Sequence, residues 1–153
     1  MICPHWESRR LTGETGMIGW WAMLVGLCAA SGRSRDVLAL REVHFGSCAT
    51  TETYRQLREA AESIDDWPTV RKRAHARLRE LIPARGVYTA DVLASILLDE
   101  SEFVAAWKIV DEHPCYEATV LAVTEERAKT HPAEAIEVYR PMVTGCIAMM
   151  NKV

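Results

Sequence analysis

The segment DDWPTVR (residues 65–71) has three counterparts in the chain, and the alignment of the four segments decides the fold. The counterparts are GRSRDVL (32–38), SEFVAAW (101–107) and THPAEAI (130–136). Their sixth position is always small and apolar, and the seventh is apolar in three of the four. Their first residues stand 33, 36 and 29 positions apart, which brackets the period of about 34 residues of tetratricopeptide helix-turn-helix repeats. The alignment therefore predicts four helical hairpins, with a small residue that lets the two helices of each hairpin pack closely.

Apolar side chains recur at helical spacing through most of the chain. Stripes with steps of three and four residues run through residues 54–64, 70–81 and 136–150, with charged residues between them. No segment alternates apolar and polar residues between hairpin turns, as strands do. Short polar breaks that contain Gly or Pro separate about eight helices, and such short connections make consecutive helices antiparallel neighbours. We predict an all-α fold, a tetratricopeptide-like stack of about four antiparallel helical hairpins.

Proline marks two positions where we expect a helix to end or bend. The segment PARG (residues 83–86) is predicted to be a break between two helices. Pro141 lies inside the last apolar stripe, where its ring removes one N–H and clashes with the carbonyl of Glu137. The sequence therefore predicts a kink or a broken helix at Pro141.

An apolar run at residues 17–30 follows two adjacent arginines at residues 9–10 and admits three interpretations. A membrane span needs about 20 apolar residues, and this run has 14. A twin-arginine export signal also has arginines before an apolar run, but Glu14 interrupts the path between them. The repeat favours the third interpretation, because Gly32 falls in phase with the later turns. The run is therefore interpreted as the first helix of the first hairpin.

The chain is predicted to have a flexible lead-in over residues 1–15 and a single helical-repeat domain over residues 16–153. Its net charge of -3 lacks the basic excess of a dedicated nucleic-acid-binding protein. Its five cysteines are odd in number and widely spaced, which argues against a disulfide scaffold and favours a reducing compartment. We expect a cytoplasmic protein that does not span a membrane.

Aromatic and basic side chains supply the candidate binding residues. Tryptophans in a helical stack either fill gaps between helices or anchor a peptide on an exposed face. The basic run VRKRAHARLRE (residues 70–80) either contacts phosphates or is a solvated helix face balanced by nearby glutamates. The candidate partner-binding residues are Trp67, Arg71, Arg73, Arg77 and Trp107.

The other chemistry-bearing residues favour structural roles. His113, Cys115 and His131 match no zinc spacing, and both histidines precede a proline at a helix boundary. The carboxylate pairs at residues 65–66 and 99–100 are predicted to lie before helices and to cap them. The sequence has no phosphate loop, no nucleophile elbow and no HExxH motif. We expect no catalytic residue, no metal and no cofactor, and therefore no enzyme.

Three segments carry a family resemblance over about residues 32–150. They are ETYRQLREAAESIDDWPTVRKRAHARLRE (52–80), VLASILLDESEFVAAWKIVDEH (92–113) and RAKTHPAEAIEVYRPMV (127–143), with KTHPAEAIEVY as the most specific piece. They resemble the helical C-terminal region of bacterial SWIM-type zinc-finger proteins, and the resemblance implies a tetratricopeptide-like scaffold. The zinc motif of that family, C-x-C followed by C-x-H, is absent, since only Cys3 has a histidine two residues on. We interpret the chain as a fragment or a shortened version of a larger protein.

Two functional hypotheses follow from the sequence. The first is a non-enzymatic helical-repeat scaffold that binds a protein or peptide partner, because stacked helical repeats create extended binding surfaces. The alternative is a nucleic-acid-associated accessory module of a SWIM-type zinc-finger protein, which rests on the basic run and on the resemblance. We also expect an apolar face at the open end of the stack, through which the chain forms a homodimer.

Overall fold

The computed structural model describes residues 14–150, and in this range all regular secondary structure is α-helical. The eight helices are α1 (Glu14–Ala30), α2 (Ser34–Ser47), α3 (Thr51–Glu62), α4 (Trp67–Arg85), α5 (Val87–Asp99), α6 (Phe103–Glu112), α7 (Glu117–Ala128) and α8 (Pro132–Met150). The all-α class and the expected number of helices are confirmed. None of the helices in this range is long and apolar enough to cross a membrane.

The helix α1 begins at Glu14, close to the expected start of the helical-repeat domain. The predicted lead-in covers residues 1–15, and residues 1–13 lie outside the described part of the chain. Glu14 and Thr15 already belong to α1, so the helix begins before the apolar run. The run at residues 17–30 does form the first helix of the described chain, as its phase with the repeat predicts.

The turns at the first residue of three of the aligned segments have the same backbone conformation. Gly32, Asp65 and Ser101 all have a left-handed φ, of 69°, 58° and 61°. Each turn has two characteristic hydrogen bonds. The left-handed residue donates its N–H to the carbonyl three residues back, and the next residue donates to the carbonyl five residues back. This is the Schellman arrangement, which satisfies the last carbonyls of a helix. The sequence repeat therefore marks a repeated structural device.

The fourth aligned turn, at Thr130, is built differently. The N–H groups of Thr130 and His131 both donate to the carbonyl of Arg127, at 3.1 and 2.8 Å. Thr130 is not among the described residues with a positive φ. The step from the third to the fourth segment is also the shortest of the three, at 29 residues. The fourth aligned segment therefore begins with a different turn from the other three.

The structure locates the predicted break of residues 83–86 at Gly86, and it has no break at Pro141. Pro83 lies inside α4, which continues to Arg85 and ends where Gly86 adopts a φ of 62°. Glycine tolerates this conformation without steric cost, so Gly86 ends the helix and Pro83 does not. The helix α8 runs from Pro132 to Met150 with Pro141 inside it, so the predicted break at Pro141 is wrong. The carbonyl that loses its partner belongs to Glu137, an exposed residue at which water can replace the bond.

Helix packing divides the chain into two compact units, Met1–Ala74 and His75–Val153, and the boundary falls within α4. In the first unit α1 packs on α2, and α2 packs on α3. Phe45 of α2 meets Tyr54 of α3 with ring centroids 5.9 Å apart, and both rings are buried. A reciprocal capping box at Thr50 and Thr53 starts α3, because each residue accepts the other's backbone N–H through its hydroxyl.

The second unit contains a contact between alternate helices. In this unit α5 packs on α6, α6 on α7 and α7 on α8, and α5 also packs directly on α7. Leu93, Ile96 and Leu97 of α5 are at most 2% exposed. Ala106 and Ala135, at the sixth position of their repeat segments, are also almost completely buried. Small residues at this position allow the close helix packing that the alignment predicts.

Candidate functional site

Trp67 lies half-buried at the first position of α4, where side chains of α3 surround it. The ring of Tyr54 meets its indole edge-on, with centroids 5.4 Å apart and planes at 73°. The guanidinium of Arg58 lies over the indole, with Cζ 5.6 Å from the ring centroid. Such a position is favoured by the ring quadrupole. Trp67 thus fills the gap between α3 and α4 and leaves part of its ring at the surface.

Two arginines of the basic run are paired with acidic residues of the same chain. Arg73 forms an ion pair with Glu42 of α2, and both side chains remain more than a third exposed. Arg77 Nη1 lies 3.4 Å from Glu80 Oε2 one turn further along α4. Exposed pairs of this kind contribute little to stability. Their geometry agrees with a solvated helix face, and the arginine groups stay accessible to a charged partner.

Trp107 is the centre of a contact between three helices of the second unit. The guanidinium of Arg127, from α7, lies over its indole with Cζ 5.4 Å from the centroid. The same guanidinium donates from Nε to Glu134 Oε2 of α8 at 2.7 Å. This hydrogen bond from Arg127 is the main reason why the pKa of Glu134 is lowered. Trp107 therefore belongs to a cluster that ties α6, α7 and α8 together.

The candidate set is divided between the two units. Trp67, Arg71 and Arg73 belong to the first unit, and Arg77 and Trp107 belong to the second. Arg71 is half-buried, whereas Arg73 and Arg77 are exposed. Each tryptophan lies beneath an arginine from the preceding or the following helix.

Sequence reasoning missed a buried pair in the second unit, formed by His75 and Glu100. Their Nε2 and Oε2 atoms lie 3.3 Å apart, and each side chain is less than a tenth exposed. His75 stands three and seven residues before Leu78 and Ile82, both of which are buried. That spacing is the signal that could have placed His75 on the inner face of α4.

The expected capping role of the carboxylate pair at residues 99–100 is wrong. Asp99 is the last residue of α5, and Glu100 follows it at the C-terminal end of that helix. A carboxylate is disfavoured there by the helix dipole, and the imidazole of His75 supplies the compensating partner. Because each side chain is less than a tenth exposed, the pair is a buried contact that joins α4 to the end of α5.

Cys115 is a poor nucleophile and a poor metal ligand. Burial, together with the negative charge of Asp91, raises the pKa of its thiol to about 11. The thiolate is the reactive and metal-binding form of cysteine, so this residue stays protonated near neutral pH. His113 and His131, which the sequence placed at helix boundaries, do lie between helices. Among the described residues, no group of three or more His, Cys, Asp or Glu side chains is arranged to hold a metal ion.

Two buried polar atoms without a hydrogen-bond partner lie between α1 and α2. They are Nε1 of Trp21 and Nδ1 of His44, and the two rings have centroids 5.6 Å apart. Burial, and secondarily the charge of Arg41, lowers the pKa of His44. The contact between these helices therefore favours a neutral imidazole.

The most prominent surface feature is apolar and lies on the first and the last described helices. We use "α1 stripe" for the exposed side chains Trp20, Met23, Leu24 and Leu27. We use "α8 stripe" for the exposed side chains Ile136, Val143, Ile147 and Met150. Both sets follow steps of three, four or seven residues, which align side chains along one helix face.

The sequence predicted an exposed apolar face in general terms but could not locate it. The segment of α1 is apolar on all sides, so its periodicity indicates no inner or outer face. Only packing on α2, through the buried side chains of Val25 and Cys28, defines which side of α1 is left open.

Comparisons of this chain with protein-family models, with characterised proteins and with solved structures gave no match. The resemblance to the helical region of SWIM-type zinc-finger proteins therefore rests on the residues quoted above and stays a prediction.

Proposed function

We propose that this chain is a non-enzymatic helical-repeat scaffold that binds a protein partner. The observation that carries the proposal is the pair of apolar stripes on α1 and α8. The largest exposed apolar patch of a protein often has a function, and aligned apolar side chains of this kind are candidates for an interaction surface. Each stripe holds four large side chains that are 45% to 77% exposed.

The proposed architecture is a tetratricopeptide-like stack, which the helix contacts of the second unit support. In such a stack the first helix of one hairpin contacts both its own partner and the first helix of the next hairpin. The contacts of α5 with α6 and with α7 fit this order. The three identical turns at Gly32, Asp65 and Ser101 support the same register. Stacked hairpins present extended surfaces whose general use is binding.

The tryptophans and arginines of the candidate set supply secondary contacts in this proposal. Trp67 and Trp107 are each held in place by a neighbouring arginine. A rigid, partly exposed indole is a favourable anchor for a partner, because little conformational freedom is lost on binding. Arg73 and Arg77 would set the orientation and the salt dependence of the complex.

The alternative function, a nucleic-acid-associated module, rests on the exposed arginines of α4. Their partners Glu42 and Glu80 would compete with phosphates for the same guanidinium groups. The salt dependence of binding to a labelled oligonucleotide distinguishes the two functions, because phosphate contacts are strongest at low salt. The scaffold proposal expects no binding above background at low salt. Binding that weakens steeply with added salt and is lost in an Arg73→Gln, Arg77→Gln variant would favour the alternative.

Site-specific photocrosslinking in cells tests the scaffold proposal. A benzophenone amino acid replaces Trp20 on α1 or Ile136 on α8, and Ala118, an exposed residue of α7, serves as the control position. We expect discrete protein adducts from the stripe positions and none from position 118. Mass spectrometry then separates self-adducts from adducts with a different protein. Equal labelling at all three positions, or no adduct to a different protein, would reject the scaffold proposal.

A further inference from the structure

We propose that the α1 stripe is the contact surface of a homodimer, in which α1 packs antiparallel against α1 of a second copy of this chain. The proposal goes beyond the scaffold function, because it assigns one of the two apolar stripes to self-association and leaves the α8 stripe for a different protein.

The geometry of the α1 stripe fits helix-on-helix packing. Trp20, Met23, Leu24 and Leu27 occupy positions i, i+3, i+4 and i+7 of one helix, and their exposed fractions are 74%, 62%, 45% and 59%. This is the spacing with which one helix inserts its side chains between those of another. The helix already uses a neighbouring face, through Val25 and Cys28, to pack on α2. The stripe therefore lies on a second face that α2 does not cover.

The charge pattern of α1 favours a second copy over a charged partner. No residue from Thr15 to Ala30 carries a charge. A charged surface placed against the stripe would lose water without gaining a counter-charge, which is costly. A second α1 stripe is equally free of charge, so the two lose only unfavourable contact with water.

A lipid surface is a poorer match for the same reason. Helices that lie on membranes combine their apolar face with a polar face rich in Lys and Arg. The face of α1 beside the stripe instead carries Ala22, Gly26 and Ala29. Electrostatic attraction to anionic lipids would therefore receive no contribution from this helix.

The size of the stripe fits a weak, reversible dimer. Apolar patches that mark function on monomeric proteins cover about 300–600 Å², and four large side chains exposed to this degree fall within that range. Two such patches in contact bury on the order of 1,000 Å², the lower limit of specific interfaces. We therefore expect a dimer that dissociates on dilution.

Two-fold symmetry makes a specific prediction about which residues meet. In an antiparallel pair centred on the stripe, Trp20 of one copy packs near Leu27 of the other, and Leu24 lies close to its own counterpart. A charge at position 24 would therefore face the same charge across the interface. Opposite charges at position 24 of two different copies would face each other.

The test is sedimentation velocity of the full chain over a dilution series, with Leu24→Glu and Leu24→Lys variants. We expect the unmodified chain to pass from monomer to dimer, and each variant to weaken the dimer at least about tenfold. An equimolar mixture of the two variants should restore a dimer. Val43→Glu is the matched control, because Val43 is an exposed apolar residue of α2 outside the stripe. This variant should dimerise as the unmodified chain does.

Four results would overturn the proposal. The unmodified chain could be monomeric at every concentration, or it could assemble beyond a dimer. The Leu24→Glu and Leu24→Lys variants could both dimerise as strongly as the unmodified chain. The equimolar mixture of the two variants could stay monomeric. Neutral phosphatidylcholine vesicles provide a further control. If the unmodified chain stays monomeric and sediments with the vesicles, and the Leu24 variants do not, the stripe is a lipid-binding surface. None of these results affects adducts formed from the α8 stripe, so the scaffold proposal is tested separately.

Discussion

The imidazole of His75 and the carboxylate of Glu100 form a buried pair, with 3.3 Å between Nε2 and Oε2. The pair joins the middle of α4 to the end of α5 within the second unit. A buried polar group that loses its partner keeps its desolvation cost without the compensating bond. The stability of this unit should therefore depend on both members of the pair.

We predict that Glu100→Ala lowers the free energy of unfolding by about 1–3 kcal/mol, because it removes one member of this buried pair. The control is Asp99→Ala at the neighbouring exposed position, where surface substitutions change stability by less than about 0.5 kcal/mol. Urea denaturation followed by circular dichroism measures both variants. Equal stability of the two variants would show that the pair contributes nothing.

The repeated turns predict opposite effects of glycine at two aligned positions. Ser101 adopts a left-handed φ of 61°, a conformation that glycine accepts more readily than residues with a Cβ. We expect Ser101→Gly to raise the melting temperature, with a gain of about 0.5–1 kcal/mol. Thr130→Gly, at the aligned turn without this conformation, should lower the melting temperature, since glycine there adds freedom to the unfolded chain and removes the hydrogen bonds of the Thr130 hydroxyl. Calorimetry that finds the same sign for both variants would contradict the assignment of the turns.

Acid sensitivity should arise in part from His44. The folded chain keeps the pKa of His44 below its ordinary value of 6.5. Below about pH 6.5 the unfolded chain therefore binds a proton that the folded chain does not, and stability falls as the pH falls. His44→Phe removes this proton uptake and the unpaired Nδ1, so its stability should decline less between pH 7 and pH 5. Thermal melts over that range measure the slope, with His131→Phe, at an exposed residue, as control. A parallel decline in His44→Phe and the unmodified chain would exclude this origin.

The thiol of Cys115 should react slowly at neutral pH, because its pKa is raised to about 11 by burial and by the charge of Asp91. Asp91→Asn removes the charge and should speed alkylation of Cys115, whereas Asp111→Asn, at an exposed residue of α6, should not. Mass spectrometry of the peptide that contains Cys115 gives the rate of carbamidomethylation at each pH. The dependence of this rate on pH tests whether the pKa of the thiol is raised. A half-maximal rate near the ordinary thiol value of about 8.5 would contradict the assigned environment.

Local chemistry explains why much of the fold was predictable. Helix class and most breaks depend on apolar spacing and on turn residues such as Gly32 and Gly86, and these signals lie within a few residues. Three of the four aligned turns were recognisable in the sequence because they share one backbone conformation. The unbroken helix at Pro141 was not predictable, because local propensity predicts a break, whereas water can replace the lost bond at an exposed residue such as Glu137.

The candidate site was less predictable, because it depends on contacts between helices. Glu100 looks like a capping residue until packing brings it to His75, 25 residues earlier in the chain. Trp67 and Trp107 were recognisable as aromatic candidates, but not the arginines that lie over them. The open face of α1 could not be read from a segment that is apolar on all sides. Its position follows only from the side that packs on α2.

If the two apolar stripes are covered by protein in the cell, the methionines that they contain should be protected from solvent there. Met23 lies on the α1 stripe and Met150 on the α8 stripe, whereas Met142 is half-buried within α8 and serves as the internal reference. A mild oxidant converts exposed methionine to the sulfoxide, and mass spectrometry gives the rate for each residue. We predict that Met23 and Met150 oxidise several-fold more slowly in cells than in the dilute purified chain, relative to Met142. Relative rates that are the same in cells and in the purified chain would contradict the claim.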